Sequence, residues 1–433
     1  MLPFISKKNQ TTITDQDLEE AERSQHLKIS TEQIENTNWG LLHEDEYAEG
    51  LDRLGIRRDG GYSMILTSKG RVLSDLFVYP TPFVSEGAVP SYLLEFNNDV
   101  SKFSQILMML KMHKLRAKID LQKTSGLQSW AYFNKSDDFQ DYLNDLKDRY
   151  FCNRNSSSPE SATELASKLV HDDVLFKSDS YEVLKNNLKG FLVDDRSPNF
   201  GLRFLLDNNC SIPMESLFSD SFISRFHEDQ MQVFGRGSKV YDLLRISDGI
   251  VQSSDYGTSS KQTLPFENNL DYMNGINYNK GCYVGQELTI RTYTSGVIRR
   301  RVMPVQFYLL NGKSTLSDEV IFNADDPVSW LTQDAGEVEI KKRDEESEEA
   351  VATAANIFGV AVKSRRSTGK IGSVIRIESN IGLASVNLGF IDLQDRNDVE
   401  ANRFLVQFHN KPEYDGKVGC KVYVPEWWQE EEQ

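Results

Sequence analysis

Residues 265–301 read PFENNLDYMNGINYNKGCYVGQELTIRTYTSGVIRRR, and the core of that stretch, Lys280-Gly281-Cys282-Tyr283-Val284-Gly285-Gln286-Glu287, decides how the chain is read. Two glycines flank a cysteine within five residues. Gly281 permits backbone angles that a Cβ resists, and Gly285 permits close approach by a neighbouring segment. Gln286-Glu287-Leu288-Thr289 can open a helix, which puts Cys282 just ahead of a helix N-terminus with Lys280 two residues away. Both features favour the thiolate, the reactive and metal-binding form of cysteine. The plainer alternative is a small buried apolar side chain. One thiolate cannot hold a metal cluster, which normally takes four protein ligands. Any metal role for Cys282 therefore needs further ligands from a partner, glutathione or another small molecule.

Upstream, residues 62–66 and 72–78 alternate apolar and polar side chains around Ser68-Lys69-Gly70, the pattern of a β-hairpin. A strand is expected at 91–96, an amphipathic helix at 100–113, a strand at 126–133 and a second helix at 139–150. That order favours an α+β sheet over a helical bundle. Residues 1–60 are polar and irregular, with one helix expected near 15–25. Residues 153–160 read as a Ser/Asn-rich surface loop, 201–206 as a strand, and 238–247 as a helix closed by Gly249. Gly235-Arg236-Gly237 lacks the rest of any phosphate-binding fingerprint and reads as a turn. Residues 297–309 are basic at first and then strand-like.

Downstream, 341–349 (KKRDEESEE) reads as a solvated insertion. Short strand candidates at 359–362, 372–378, 384–390, 404–408 and 417–424 suggest a small C-terminal β-barrel, with Trp427 and Trp428 packed on it. The expected organisation is an irregular segment at 1–60, lobes at 61–200 and 201–310, and the barrel at 311–433.

A 433-residue chain is long enough for several domains. Its net charge of −16 and pI near 5.0 argue against nucleic acid as a general partner. No apolar run approaches the roughly 20 residues that cross a bilayer, and no membrane partner is expected. Cys152, Cys210, Cys282 and Cys420 lie far apart with no CxxC pair, which fits a reducing compartment. The histidines show no zinc-binding spacing.

KGCYVGQE resembles the K-G-C-aromatic-x-G-Q-E signature of the YgfZ-type family, which includes bacterial proteins and mitochondrial iron–sulfur assembly relatives. The flanks are similar too: Leu264-Pro265-Phe266-Glu267, Asn269-Leu270, Gly275-Ile276, then Arg291 and Gly296-Val297-Ile298-Arg299-Arg300. Tyr241 to Ile246 with Gly249-Ile250, Tyr62-Ser63-Met64, and Gly70 to Asp75 resemble further family segments. The likeness covers roughly 62–309 well and the C-terminal strands loosely.

The resemblance implies a three-lobed folate-binding, aminomethyltransferase-like fold ending in the small barrel. It implies a mitochondrial matrix protein acting late in 4Fe–4S protein maturation with A-type iron–sulfur carrier proteins and client 4Fe–4S enzymes. The motif cysteine maps onto Cys282, as the ligand of a cluster shared with a partner. Asp75 maps onto the hairpin aspartate that meets the reactive nitrogen of tetrahydrofolate; the alternative is a strand cap or a cavity mouth. The implied cofactor-binding set is Tyr62, Arg71, Asp75, Lys280, Gly281, Cys282, Tyr283, Gly285, Gln286, Glu287 and Arg291. Arg291, Arg299, Arg300 and Arg301 form a cationic stretch that either meets an anionic partner or lines a solvated edge.

Two departures stand out. The family phrase F-L-x-G-L-x-T, which precedes the hairpin, is absent, and Met1-Leu2-Pro3-Phe4-Ile5 resembles the family segment just after that phrase. The expectation is a chain started at an internal methionine, without its presequence, first strand and first helix. The R-x-G-Y-T-G-E phrase of full aminomethyltransferases is also absent, and Tyr256-Gly257-Thr258 does not replace it. A scaffold-like assembly factor is therefore expected rather than a classical enzyme. A folate-dependent one-carbon transferase is the alternative, and an interaction protein with a degenerate folate pocket the third.

Overall fold

Sheets carry the architecture, and their registers follow the apolar alternation. The computed structural model describes residues 4–5, 41–44, 54–57, 59–82, 91–96, 100–151, 168–198, 200–226, 239–256, 263–276, 282–312, 316–329, 337–342, 369–394 and 398–428. The expectations for 15–25, 153–160, 235–237 and 359–362, and for most of 341–349, lie outside the described residues. The chain divides into two units, residues 1–235 with 270–287 and residues 236–269 with 288–433.

In the first unit, β1 (Phe4–Ile5) borders a four-stranded sheet, and β2 (Leu41–Glu44) pairs with β3 (Leu54–Arg57) separately. The expected hairpin is β4 (Gly61–Leu66) and β5 (Val72–Pro80), antiparallel with Tyr62 opposite Phe77 and Met64 opposite Asp75. β6 (Tyr92–Phe96) completes the order β1-β4-β5-β6. One face of this sheet, with Ile65, Leu76 and Val78, packs on Ile106 and Leu110 of α1 (Val100–His113). Fully burying each such side chain stabilises by about 1.5–3 kcal/mol. The other face carries Tyr62, Asp75, Phe77 and Tyr79 by the period of two.

β7 (Leu127–Tyr132), α2 (Asp137–Leu146), α3 (Tyr181–Asn187), β8 (Leu188–Asp194), β9 (Gly201–Asp207) and α4 (Asp220–Phe226) come next along the chain. Ser136 caps α2, its side chain accepting from the Phe139 N–H, with Asp137 and Asp138 in the first turn. The expected helix at 139–150 stops at Leu146 and continues as a π turn over Lys147–Phe151. β9 lies between β7 and β8, so the break expected at 200/201 falls between hydrogen-bonded strands. An aromatic core of Phe139, Tyr142, Phe176, Phe204, Phe218, Phe222 and Phe226 packs beside this sheet.

In the second unit, α5 (Lys239–Ser247) ends in a Schellman turn. Gly249 has φ +74°, its N–H meets the Ile246 carbonyl, and the Ile250 N–H meets that of Arg245. α6 (Gln286–Ser295) leads to β10 (Arg300–Leu309), which opens a closed barrel with β11 (Val338–Lys341), β12 (Lys370–Glu378), β13 (Ile381–Asn387), β14 (Arg403–Phe408) and β15 (Val418–Val422). The barrel order is β10-β13-β12-β11-β14-β15, so its first strand precedes the boundary expected at 311. Trp428 is buried, with the Arg301 guanidinium over its ring, and Trp427 Nε1 donates to the Asp248 carbonyl at 2.8 Å.

Candidate functional site

The cysteine motif and the hairpin, far apart in sequence, meet through backbone. Gly285 takes φ +82°, and a Cβ there would lie 2.4 Å from the Thr67 carbonyl oxygen and 2.9 Å from Gly70 Cα. Only glycine allows this seat. The hairpin turn beneath is braced by Gly70 N–H on the Thr67 carbonyl (2.9 Å), Thr67 N–H on the Arg71 carbonyl (2.8 Å) and Arg71 N–H on Thr67 Oγ1 (3.2 Å). On the motif side, the Gln286 side chain folds back so that Oε1 accepts from the Tyr283 N–H at 3.0 Å, while the Gln286 N–H meets the Tyr283 carbonyl at 3.3 Å. The stretch from Tyr283 to Gln286, seated on the hairpin through Gly285, thus leads into α6.

Cys282 stands at the start of that loop, exposed, four residues before Gln286. The expectation of a thiol just ahead of a helix is met in the chain's geometry. Lys280 and Gly281 lie outside the described residues. Glu287 and Arg291 are exposed on α6, and Tyr283 is half-buried. Cys420, by contrast, is fully buried on β15, where burial pushes its thiol well above the ordinary value.

Asp75 is buried, 7% exposed, on the same face of the hairpin as Tyr62. Tyr62 is buried beside Phe77, ring centroids 5.2 Å apart. The guanidinium of Arg196, itself fully buried, lies 5.0 Å from the Tyr62 ring, 4.8 Å from Phe77 and 5.2 Å from Phe200. Asp194 holds it with two charge-assisted bonds of 2.8 and 2.7 Å. Next to it, Arg203 grips Glu95 at 2.6 and 3.0 Å and lies 4.4 Å from the Phe77 ring, while Tyr79 donates to Glu95 at 2.7 Å. Burial alone would raise the Glu95 carboxyl; the Arg203 charge and the hydrogen bonds outweigh it and hold the group below its ordinary value. Burial, then the Glu95 charge, pushes the Tyr79 phenol well above 10.0.

Sequence reasoning missed Arg196, Asp194, Arg203 and Glu95. Their signal was an acid–x–base triplet at the end of an apolar strand and an arginine inside the next one, both placed where solvent would not reach. Of the cationic stretch, Arg299 and Arg300 are exposed, while Arg301 is buried, donating to the Phe266 carbonyl at 3.1 Å. Asn274 Nδ2 donates to the Asp195 carbonyl at 3.3 Å and ties the motif lead-in to the strand end that carries Arg196.

Among the described residues, no group of three or more His, Cys, Asp or Glu side chains could hold a metal ion. The arrangement can offer one sulfur ligand to an iron centre completed from outside. It also offers a buried carboxylate that could accept a hydrogen bond from a pterin amine. The fit to tetrahydrofolate rests on Asp75, because the Tyr62 ring is already engaged by Arg196.

Fold and site together define an α+β protein with a closed six-stranded barrel that presents a motif thiol on a braced loop. No family model matches the chain. Curated relatives do. The mitochondrial iron–sulfur cluster assembly factor IBA57 homologs of Debaryomyces hansenii and Meyerozyma guilliermondii are each 35% identical, over 99% of this chain and 92% of theirs. The Candida albicans homolog is 34% identical over the same shares. The chain belongs to the IBA57 family of iron–sulfur cluster assembly factors. A solved structure of the glycine cleavage system aminomethyltransferase T from Bartonella henselae is similar with a TM-score of 0.43 and 12% identity, covering 86% of this chain and 76% of that one.

Proposed function

We propose that this protein is a mitochondrial iron–sulfur cluster assembly factor, located in the matrix, that lends Cys282 as one ligand of a 4Fe–4S cluster held jointly with an A-type carrier on its way to client enzymes. The observation that carries the reading is the exposed Cys282 on a loop clamped by Gly285 and Gln286. A solvent-facing thiol beside a seated turn can reach a second protein without unfolding, and a cluster's remaining three ligands then come from outside. The protein's own part is positional: the hairpin turn seats the loop, and the loop aims the sulfur.

Tetrahydrofolate binding is the second element. Asp75, placed by the hairpin, would accept a hydrogen bond from a pterin amine. When bound, the folate would supply one-carbon carrier chemistry.

Anaerobic reconstitution with an A-type carrier tests the first element. The wild type is expected to co-elute with the carrier on gel filtration with cluster absorbance, and Cys282→Ser to lose both. Retention of the coloured complex by Cys282→Ser would falsify the reading. For the folate element, equilibrium titration should show tetrahydrofolate binding weakened about tenfold or more by Asp75→Asn, the loss of one charge-assisted bond. Unchanged affinity removes folate from the proposal.

A further inference from the structure

We propose that the outward face of α1, with the segment after it to residue 123, is a docking surface for an anionic lipid bilayer. α1 buries Ile106 and Leu110 against its sheet. Its opposite side carries Met108 and Met112, 63% and 58% exposed, and the segment after the helix adds Leu115 and Ile119, 84% and 41% exposed. The spacing of four puts Met108 and Met112 on one line of the helix, and Leu115 follows in the turn beyond His113, at φ +46°. A helix apolar on two faces is normally buried on both. Here the second face meets water.

Charge identifies the occupant. Lys111, Lys114, Arg116, Lys118 and Lys123 are all exposed. Asp120 is the one acidic residue from 100 to 123, and the Gln122 amide bonds to it. In a chain of net charge −16, this is a local reversal of sign. The segment is also fixed beside the helix. Lys114 Nζ donates to the Ile119 carbonyl at 2.8 Å, and Lys123 Nζ lies 5.4 Å from the Phe103 ring.

An acidic protein groove would match the charge but not the interleaving. Lysines are depleted from the cores of protein interfaces, yet Lys111 sits between Met108 and Met112, and Lys114 and Arg116 flank Leu115. A headgroup layer accepts both kinds of side chain at one depth. Met and Leu enter the acyl boundary while lysine stems extend their ammonium groups to the phosphates. No helix among the described residues is long and apolar enough to cross a membrane, so the contact is superficial. This revises the expectation of no membrane partner, which rested on spanning runs alone, and it is independent of Cys282.

Vesicle flotation of the full chain tests it. With about 30% phosphatidylglycerol in phosphatidylcholine and about 0.05 M salt, the wild type should float at least about tenfold more than with phosphatidylcholine alone, and about 0.5 M salt should reverse this. Lys111→Glu/Arg116→Glu/Lys118→Glu should abolish flotation. Met108→Ser/Met112→Ser/Leu115→Ser should cut it about tenfold. All six positions are exposed, so both variants should unfold thermally like the wild type. Failure of the wild type to float, or equal flotation of the variants, overturns the proposal. So does self-association through this face without flotation, which assigns it to a second copy. Retention on an immobilised acidic amphipathic peptide without flotation assigns it to a protein partner and equally overturns the proposal.

Discussion

A methyl group added at Gly285 would collide with the Thr67 carbonyl, and φ +82° would strain any other residue. Gly285→Ala should therefore destabilise the loop by about 1–3 kcal/mol. Chemical denaturation will give the number, and Cys282 alkylation will report whether the loop has loosened. Thiol chemistry offers a second check at this scale. Among the three cysteines of the described residues, Cys282 should alkylate first in the folded protein, Cys210 more slowly, and Cys420 only on unfolding, as their exposure and the raised Cys420 thiol dictate. Mass spectrometry of timed samples reads the order, and early labelling of Cys420 would contradict it. The need for a glycine at 285 was legible in the sequence as a place of close approach. The identity of its neighbour was not, because a local string carries no information on a turn more than two hundred residues earlier.

Among elements, the hairpin was legible because period-two alternation and a Ser-Lys-Gly turn agree over a short span. The charged cluster beside Tyr62 and Phe77 was not. Arg196 just past the end of β8 and Arg203 within β9 read as solvent-facing until the sheets are placed, and only then become buried cations with matched acids. The Arg203–Glu95 pair makes this measurable. Removing one partner leaves a charge with poor solvation, so Arg203→Met should destabilise by about 3 kcal/mol, whereas Arg203→Met with Glu95→Gln should lose less than the sum of the singles. A denaturation cycle that adds without coupling would show that the pair does not act together. The π turn after α2 was equally unreadable, since nothing in its composition separates it from the helix it extends.

For the whole molecule, acid should weaken the fold in part through Glu95. Its folded carboxyl is held below the ordinary value, so its stabilisation is complete above the unfolded value, roughly 4.3. That stabilisation is lost as pH falls through the lower folded value. Denaturation midpoints should therefore drop below about pH 4.5, and Glu95→Gln should flatten that drop. The barrel strands between 370 and 422 were visible from their turn spacing, but its first strand was assigned to the preceding lobe because 300–309 directly continues the motif segment. The seating of Gly285 on the hairpin also sets a timetable for biogenesis. The turn is synthesised early and its rider late, so a nascent or half-threaded chain carries a thiol with no fixed posture. Such a chain would have to finish before it could present that sulfur in an ordered way. On the reading proposed above, incomplete copies would then be poor competitors for iron.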